Sequence, residues 1–366
     1  MKHDVQAVMA RFAVAGTFAD AQPYGSGHIN DTYLVRLQEG HTHTPWILQH
    51  INRNIFRDVP GLMGNVLRVT EHLRRRLQSH PGSDPHREAL TIVPTHDGAA
   101  YHQDAEGEFW RVYAFITGAR TYDEVQSRDM AREAAKAFGT FQKLLMDLPA
   151  PALQETIPFF HHTPNRFAKL EAAIAADPVG RAATCRAEID FALARQALTG
   201  LLVDPLAAGV LPQRVTHNDT KINNVMIDDR DGRGICVIDL DTVMPGTVLY
   251  DFGDEVRTTT GTAAEDERDL KKVRFQVDMF EALVQGYMEA AREFLVPAEI
   301  DQLAFCGRLI TFEIGIRFLT DHLEGDVYFK THRPGHNLDR LRTQFEMVRQ
   351  MEQRAEEMER IVSRYR

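Results

Sequence analysis

The sequence predicts an α+β fold, with a small antiparallel sheet carrying one helix ahead of a larger, mainly helical region that holds one polar loop and one hairpin. Three observations predict it. Between about residues 20 and 117, apolar residues alternate with polar ones or form short β-branched and aromatic runs. After ITGART the apolar spacing becomes that of amphipathic helices. Inside that helical region one β signal remains, NNVMIDD and GICVIDLDT joined by DDRDGRG. Two lobes are therefore expected, residues 1–117 and 118–366.

Taken in order, MKHDVQAVMARFAVAG reads as an amphipathic helix, since Arg11 breaks an apolar run already too short for a signal peptide. DTYLVRLQ sets Tyr33, Val35 and Leu37 against Thr32, Leu34 and Arg36, the two-residue period of a strand. WILQHI, TIVPTHDG and EFWRVYAFIT read as further strands. Between the first two of these lies GLMGNVLRVTEHLRRRL, with Leu62, Val66, Val69 and Leu73 at helical spacing. REAAKAFGTFQKLLMDL, NRFAKLEAAIAA, EIDFALARQALTGLL, KKVRFQVDMFEALVQGYMEAARE and roughly the last thirty residues read as helices. The Asp- and Gly-rich DDRDGRG joins its two apolar runs as a hairpin. LDRLRTQFEMVRQMEQRAEEMERIVSRYR reads as one final helix, in which Leu338, Leu341, Phe345, Val348 and Met358 form a stripe that breaks near Ala355–Glu357. So short a stripe favours packing back onto the helical region over a dimeric coil, and a monomer is expected.

Bulk properties exclude several classes. The 366 residues, 43% hydrophobic, suffice for real cores. A net charge of -10 argues against a nucleic-acid surface, and the RRR of LRRRLQSH fits a solvated helix face. No stretch approaches the roughly 20 apolar residues of a membrane span. Three sparse cysteines, Cys185, Cys236 and Cys306, suit a reducing, cytoplasmic setting better than a disulfide framework. Among the 16 histidines, the clusters His41–His43 and His161–His162 lack a third partner at zinc-ligand spacing and read as loop histidines.

The chemistry concentrates in RVTHNDTKINNVMIDDRDGRGICVIDLDT. Asp219 suits a carboxylate base that takes a proton from an attacking hydroxyl. Asn224 and Asp239 offer the hard oxygen ligands that Mg2+ prefers. Lys221, two residues past the base, suits the charge of a migrating phosphoryl group. Alternatively such residues simply cap turns, and DDRDG could be a calcium loop, though it lacks the EF-hand spacing.

His217-x-Asp219-x-Lys221-x-x-Asn224 resembles the kinase catalytic loop H-R-D-x-x-x-x-N, and Asp239 looks like the metal-binding Asp of the D-F-G position. Without Arg after His217, and with I-D-L-D in place of D-F-G, the resemblance is to small-molecule kinases of the aminoglycoside phosphotransferase superfamily. It implies the protein-kinase-like bilobal fold, with His217 and Asp251 of YDFGDEVR bracing the catalytic loop. It also implies a nucleotide-binding lobe at 1–117 and a catalytic and substrate-binding lobe at 118–366.

In YGSGHINDTYLV, Gly25 and Gly27 precede a strand where backbone N–H groups can approach phosphates, with Asn30 at the third glycine position. An ordinary turn is the alternative. The next strand should carry a lysine and instead carries Gln49 in WILQHI. Either the chain is a nucleotide-binding pseudokinase, or other donors serve, such as Lys221 and loop amides. Glu71 then has no ion pair to make. Main-chain groups around Tyr113 and Phe115 are expected to meet the adenine edge.

The blocks GHINDTY, ILQHIN, HNDTKINNVM, IDLDTVMPG, YDFGD and RFLTDHLEGDVYFK together resemble the N-acetylhexosamine 1-kinase group, over about residues 20–350. That group also carries Gln in the ILQ strand. The resemblance implies transfer from ATP, with Mg2+, to the anomeric hydroxyl of a free amino sugar. Arg317 and Tyr328, with His28 of the glycine turn, are the candidate sugar contacts. An Arg317–Asp321 pair four residues apart is the structural alternative. A kinase of another alcohol, such as an aminoglycoside, homoserine or choline, shares the same fold.

Overall fold

The computed structural model describes residues 3–25, 27, 29–150 and 153–366, so His28 lies outside the described residues. The opening helix, α1 (Val5–Met9), is shorter than its amphipathic pattern. Phe12 leaves the helix to bridge Thr95, and is fully buried there. Val5, Val8, Met9 and Phe12 pack on Tyr33, Val35, Leu37, Leu48, Trp110 and Val112, which form one face of a sheet.

That sheet comprises β1 (Thr17–Pro23), β2 (Asp31–Glu39), β3 (Thr42–Ile51), β4 (Ile92–Val93), β5 (His102–Gln103) and β6 (Phe109–Ala114). The order is β1-β2-β3-β6-β4, antiparallel throughout, with β5 paired to β6. β4 is only two residues of the expected TIVPTHDG strand. Pro94 has no N–H to give a ladder, and Thr95 turns the chain by accepting the Ala99 N–H at 2.9 Å. Across the middle of the sheet, Thr32 pairs with Gln49 and Gln49 with Arg111. By strand alternation these three share the sheet face opposite α1. The single expected helix, α2 (Val59–Gln78), covers that face, burying Leu62, Val66, Val69 and Leu73 with Ile51 and Tyr113. Each such side chain contributes about 1.5–3 kcal/mol.

The remainder is mainly helical. After β7 (Ala119–Arg120) come α3 (Arg128–Leu144), α4 (Thr163–Ala176), α5 (Arg186–Leu193) and α6 (Val203–Ala207). Then follow β8 (Arg214–Thr216), β9 (Val225–Asp228), β10 (Gly234–Val237) and β11 (Met244–Gly246). The chain ends with α7 (Val248–Thr259), α8 (Val277–Ala291), α9 (Pro297–Glu324), α10 (His336–Gln353) and α11 (Ala355–Tyr365). β9 and β10 form the expected hairpin, and β7 extends it. α7 crosses α9 closely at Gly253, where a Cβ would stand 2.8 Å from the Cys306 carbonyl oxygen.

Three helical expectations are corrected. EIDFALARQALTGLL breaks after Leu193 because Arg195 turns to bind Glu352 at 2.7 Å, and only a short 3-10 turn follows. KKVRFQ is not α-helical: Lys271 and Lys272 end a 3-10 turn, and from Val273 the chain is held by Gln350, whose side chain accepts the Phe275 N–H at 2.9 Å and donates to Val273 O at 2.8 Å. The last segment is two helices. Leu341, Phe345 and Val348 pack with Phe312, Ile316 and Leu319 of α9, while Met358 joins a second cluster with α8. The stripe does pack back onto the helical region. No helix among the described residues is long and apolar enough to cross a membrane, and all three cysteines are buried thiols.

Candidate active site

The loop at 217–224 is built by two acids of α7. Asp251, in the first turn, accepts the His217 N–H at 3.0 Å and the Asn218 N–H at 2.7 Å. One turn later Asp254 accepts the Thr220 N–H at 3.0 Å and Arg257 Nε at 2.8 Å. Asn218 adopts a left-handed φ of 67°, a conformation that these bonds hold in place. Gln142 of α3 adds a donor to Asp251 at 2.7 Å, and the Tyr287 hydroxyl fixes Gln142 at 2.6 Å. Burial raises the Asp251 carboxyl above its ordinary range, against the pull of His217 and these donors. The N-terminal end of α7 also favours a carboxylate there.

His217 is fully buried, edge-on to Phe138 and Phe141. Its Nδ1 accepts the Asp219 N–H at 3.2 Å and its Nε2 donates to Ile238 O at 2.9 Å, which joins the loop to the end of β10. The Asp219 carboxylate meets Lys221 Nζ at 3.0 Å and Asn224 Nδ2 at 3.1 Å. Burial disfavours the Lys221 charge, but Asp219, Asp254 and Asp239 turn the balance into a raised pKa. Asn224 O accepts the Ile238 N–H at 2.9 Å, so Asp239 follows directly, in a left-handed conformation at φ 59°. Asp239 is open on one side and crowded by protein on the others. Loss of water there, with Asp241 and Asp219 nearby, pushes its carboxyl up to about 6. Carboxylates that repel one another beside an amide oxygen form a donor set fit for a divalent cation. Asp219, Lys221, Asn224, Asp239, His217 and Asp251 thus come together as one group. Asp228, Asp229 and Asp231 instead pair with Arg87, Arg120 and Arg233, which leaves no calcium loop at DDRDG.

On the sheet side, Gly25 takes a positive φ of 81° in the turn between β1 and β2, which also holds Gly27. Asn30 closes that turn. Its Nδ2 donates to Asp241 at 2.6 Å and its Oδ1 accepts the Asn52 N–H at 3.0 Å, so it ties the turn to the segment after Asp239. Gln49 donates to Thr32 Oγ1 at 3.0 Å and accepts from Arg111 Nε at 2.9 Å. Arg111, 1% exposed, pairs with Asp241 at 2.5 Å and lies 3.8 Å from Met63 Sδ of α2. Glu71 sits on the exposed side of α2. Tyr113 is buried beneath the Arg111 guanidinium, and Phe115 meets Tyr24 edge-on. Spacing and motif do not single out Arg111, Asp241 or Asp254. A lone arginine in the apolar FWRVYA and the second acid of IDLD were the available signals.

On the helical side, the Arg317 guanidinium stands 5.9, 5.9 and 5.5 Å from the ring centres of Phe160, Tyr328 and Phe329. Asp321 faces the following loop, accepting the Tyr328 and Phe329 N–H groups at 2.7 and 2.9 Å and Asn337 Nδ2 at 2.7 Å. The alternative Arg317–Asp321 pairing does not form. Tyr328 is 66% exposed and is no core residue. His161 is more than a loop histidine. It is buried, 2.8 Å from Glu313 and 3.2 Å from Asn218 O, and so connects α9 to the loop of Asp219. Burial opposes the Glu313 charge, yet His161, Thr163 and Arg317 hold its carboxyl below the usual range. Arg166 lies nearby, its pKa lowered by burial and by Arg317, with Nε unbonded among the described residues.

The chain matches the phosphotransferase enzyme family over residues 20–288. Its fold is similar to that of a microcompartment-associated aminopropanol kinase, 18% identical, with 96% of this chain and 97% of that chain covered at a TM-score of 0.64. An aminoglycoside phosphotransferase from Alicyclobacillus acidocaldarius is 12% identical, with 98% and 96% covered at 0.62. A spectinomycin phosphotransferase solved with ADP and spectinomycin is 11% identical, with 92% and 94% covered at 0.55. At such identities the likeness is one of fold.

Proposed function

This chain belongs to the phosphotransferase enzyme family, and we propose that it moves the γ-phosphoryl group of ATP to the anomeric hydroxyl of an N-acetylhexosamine. The acceptor is N-acetylglucosamine or N-acetylgalactosamine, and the product a sugar 1-phosphate. The nucleotide binds between a lobe at 1–117 and a lobe at 118–366. Gly25 and Gly27 approach its phosphates, and the main chain around Tyr113 and Phe115 meets the adenine. Asp219 accepts the proton of the anomeric hydroxyl as its oxygen bonds to the γ-phosphorus and the bond to ADP breaks. Lys221, 3.0 Å from Asp219, offers positive charge to the migrating group. Mg2+, held by Asn224 and Asp239, would supply charge neutralisation for the phosphates. His217 and Asp251 keep the loop in shape. Three reduced cysteines and ATP as donor suit a cytoplasmic enzyme.

The observation that carries the acceptor reading is the pair Arg166 and Arg317 among Phe160, Tyr328 and Phe329. Two guanidinium groups repel an ammonium, which disfavours amino alcohols and aminoglycosides. Their N–H donors fit hydroxyl and N-acetyl carbonyl oxygens, and an exposed tyrosine can stack on a sugar face. His28 of the glycine turn is an additional sugar contact in this reading.

ADP release with ATP and Mg2+ should be followed across free sugars, amino alcohols and aminoglycosides. Turnover is expected on N-acetylhexosamines and should vanish when the anomeric hydroxyl is blocked as a methyl glycoside. Turnover confined to aminoglycosides or amino alcohols would refute the acceptor. Nucleotide binding with no turnover on any alcohol would favour the pseudokinase.

A further inference from the structure

Resting on the reading of this site as a nucleotide-dependent phosphotransferase, we propose that Arg111 is the cation the sheet supplies to the phosphates of the donor nucleotide. Gln49 and Asp241 are its positioning residues.

Gln49 stands where a lysine was expected, and its amide is engaged on both sides, by Thr32 Oγ1 at 3.0 Å and Arg111 Nε at 2.9 Å. It is a neutral bracket that aims the guanidinium. The charge itself comes from the neighbouring strand, on the same rung and the same face of the sheet. The fork geometry of arginine explains the rest of the arrangement. Nε binds Gln49, Nη1 binds Asp241 and touches Met63 Sδ, and Nη2 donates to none of the described residues. Nη2 is the nitrogen left for a phosphate oxygen.

The location fits that ligand. Asp241 follows Asp239 by two residues, and Arg111 is close enough to pull the Asp239 carboxyl downward. Asn30, which ends the glycine turn, donates to the same Asp241 carboxylate at 2.6 Å. One acid therefore fixes three parts of the nucleotide site, namely the turn, the sheet cation and the segment bearing Asp239. A buried guanidinium needs such a partner, because an unpaired charge in a protein interior is strongly disfavoured. Helix α2 supplies no carboxylate to it, with Met63 at the contact and Glu71 on the exposed side. The charge of this site consequently does not depend on where α2 sits.

The test compares the affinities of the intact protein for ADP and for adenosine, with no acceptor present. Arg111→Met should weaken ADP about ten- to a hundredfold, the worth of a hydrogen bond between charged groups, and leave adenosine unchanged. That variant leaves the Asp241 carboxylate without its cation and is expected to melt lower. The double variant Arg111→Met/Asp241→Asn removes both charges and should regain thermal stability. If Arg111 meets the phosphates, the double variant stays weak for ADP. If it regains the wild-type preference for ADP over adenosine, the pair is merely structural and the proposal is overturned. Gln49→Lys in the Arg111→Met background should recover part of the ADP affinity by returning a cation to β3. No recovery from that exchange would count against an electrostatic role. A wild type that binds neither ADP nor adenosine overturns the phosphotransferase reading along with this one. A wild type that binds both, with the preference surviving in the double variant, overturns only the role of Arg111.

Discussion

The carboxylate of Asp251 stands 2.7 Å from the main-chain nitrogen of Asn218 and holds that residue in a left-handed conformation directly before Asp219. Its other oxygen takes the His217 N–H and the Gln142 amide. Every partner is a donor. Asp251→Asn would turn an NH2 group toward at least one of them, leaving buried donors facing each other. A loss of about 3 kcal/mol in stability is expected, together with a fall in kcat as Asp219 loses its setting. Thermal unfolding and steady-state rates measured on the same preparation check it. A variant with unchanged Tm and unchanged kcat would show that Asp251 does not brace the loop.

Asp219→Asn tests the base itself. The amide can still meet Asn224 and remain beside Lys221, and the fold should persist. What it lacks is proton affinity, so kcat should drop about 10²–10⁴-fold, the usual contribution of general base catalysis. KM for ATP should change little, because Asp219 contacts no phosphate in this reading. Comparable kcat in variant and wild type would rule out Asp219 as the base.

How far these residues could be read from the sequence depends on the range of their interactions. His217, Asp219, Lys221 and Asn224 lie within eight consecutive positions, and local spacing alone brings them together. The hairpin that delivers Asp239 is equally local. Arg111 was hidden because its significance depends on cross-strand register, 62 residues from Gln49 and 130 from Asp241. The same holds for KKVRFQ, whose helical propensity yields to hydrogen bonds from Gln350, and for His161, whose partner Glu313 lies 152 residues away. Propensity and spacing describe neighbours in the chain. They carry no information on which distant side chain completes a hydrogen bond.

Arg317→Ala should separate the acceptor from the nucleotide. The guanidinium lies against Phe160, Tyr328 and Phe329 of the helical region. A rise of about tenfold or more in the acceptor KM is expected, with KM for ATP unchanged, as for loss of a charged hydrogen bond. Arg317→Lys keeps the charge but loses the fork, and should recover only part of the affinity. Equal shifts in both KM values would place Arg317 outside the acceptor site.

Glu255 makes a prediction about stability and pH. It lies one turn beyond Asp251 on α7, 2% exposed, and neither of its oxygens has a hydrogen-bond partner among the described residues. Burial raises its carboxyl well above the ordinary glutamate range, and Asp251 and Asp254 add to the rise. In the unfolded chain the same group ionises near 4.5. Below that pH both states hold the proton and Glu255 brings no penalty. As pH climbs from there toward the raised value, the unfolded chain releases its proton first, so folding loses stability with rising pH. Glu255→Met removes the titration while keeping the bulk. Its unfolding free energy should lie close to that of the wild type at about pH 4 and exceed it increasingly as pH rises above that, by roughly 1–3 kcal/mol. Glu255→Gln, which mimics the protonated form, should show the same pH dependence of the difference. Because all other groups are shared, their titration cancels in the comparison. A gap that stays constant with pH, or a variant less stable at the alkaline end, would mean that Glu255 ionises at its ordinary value in the folded protein.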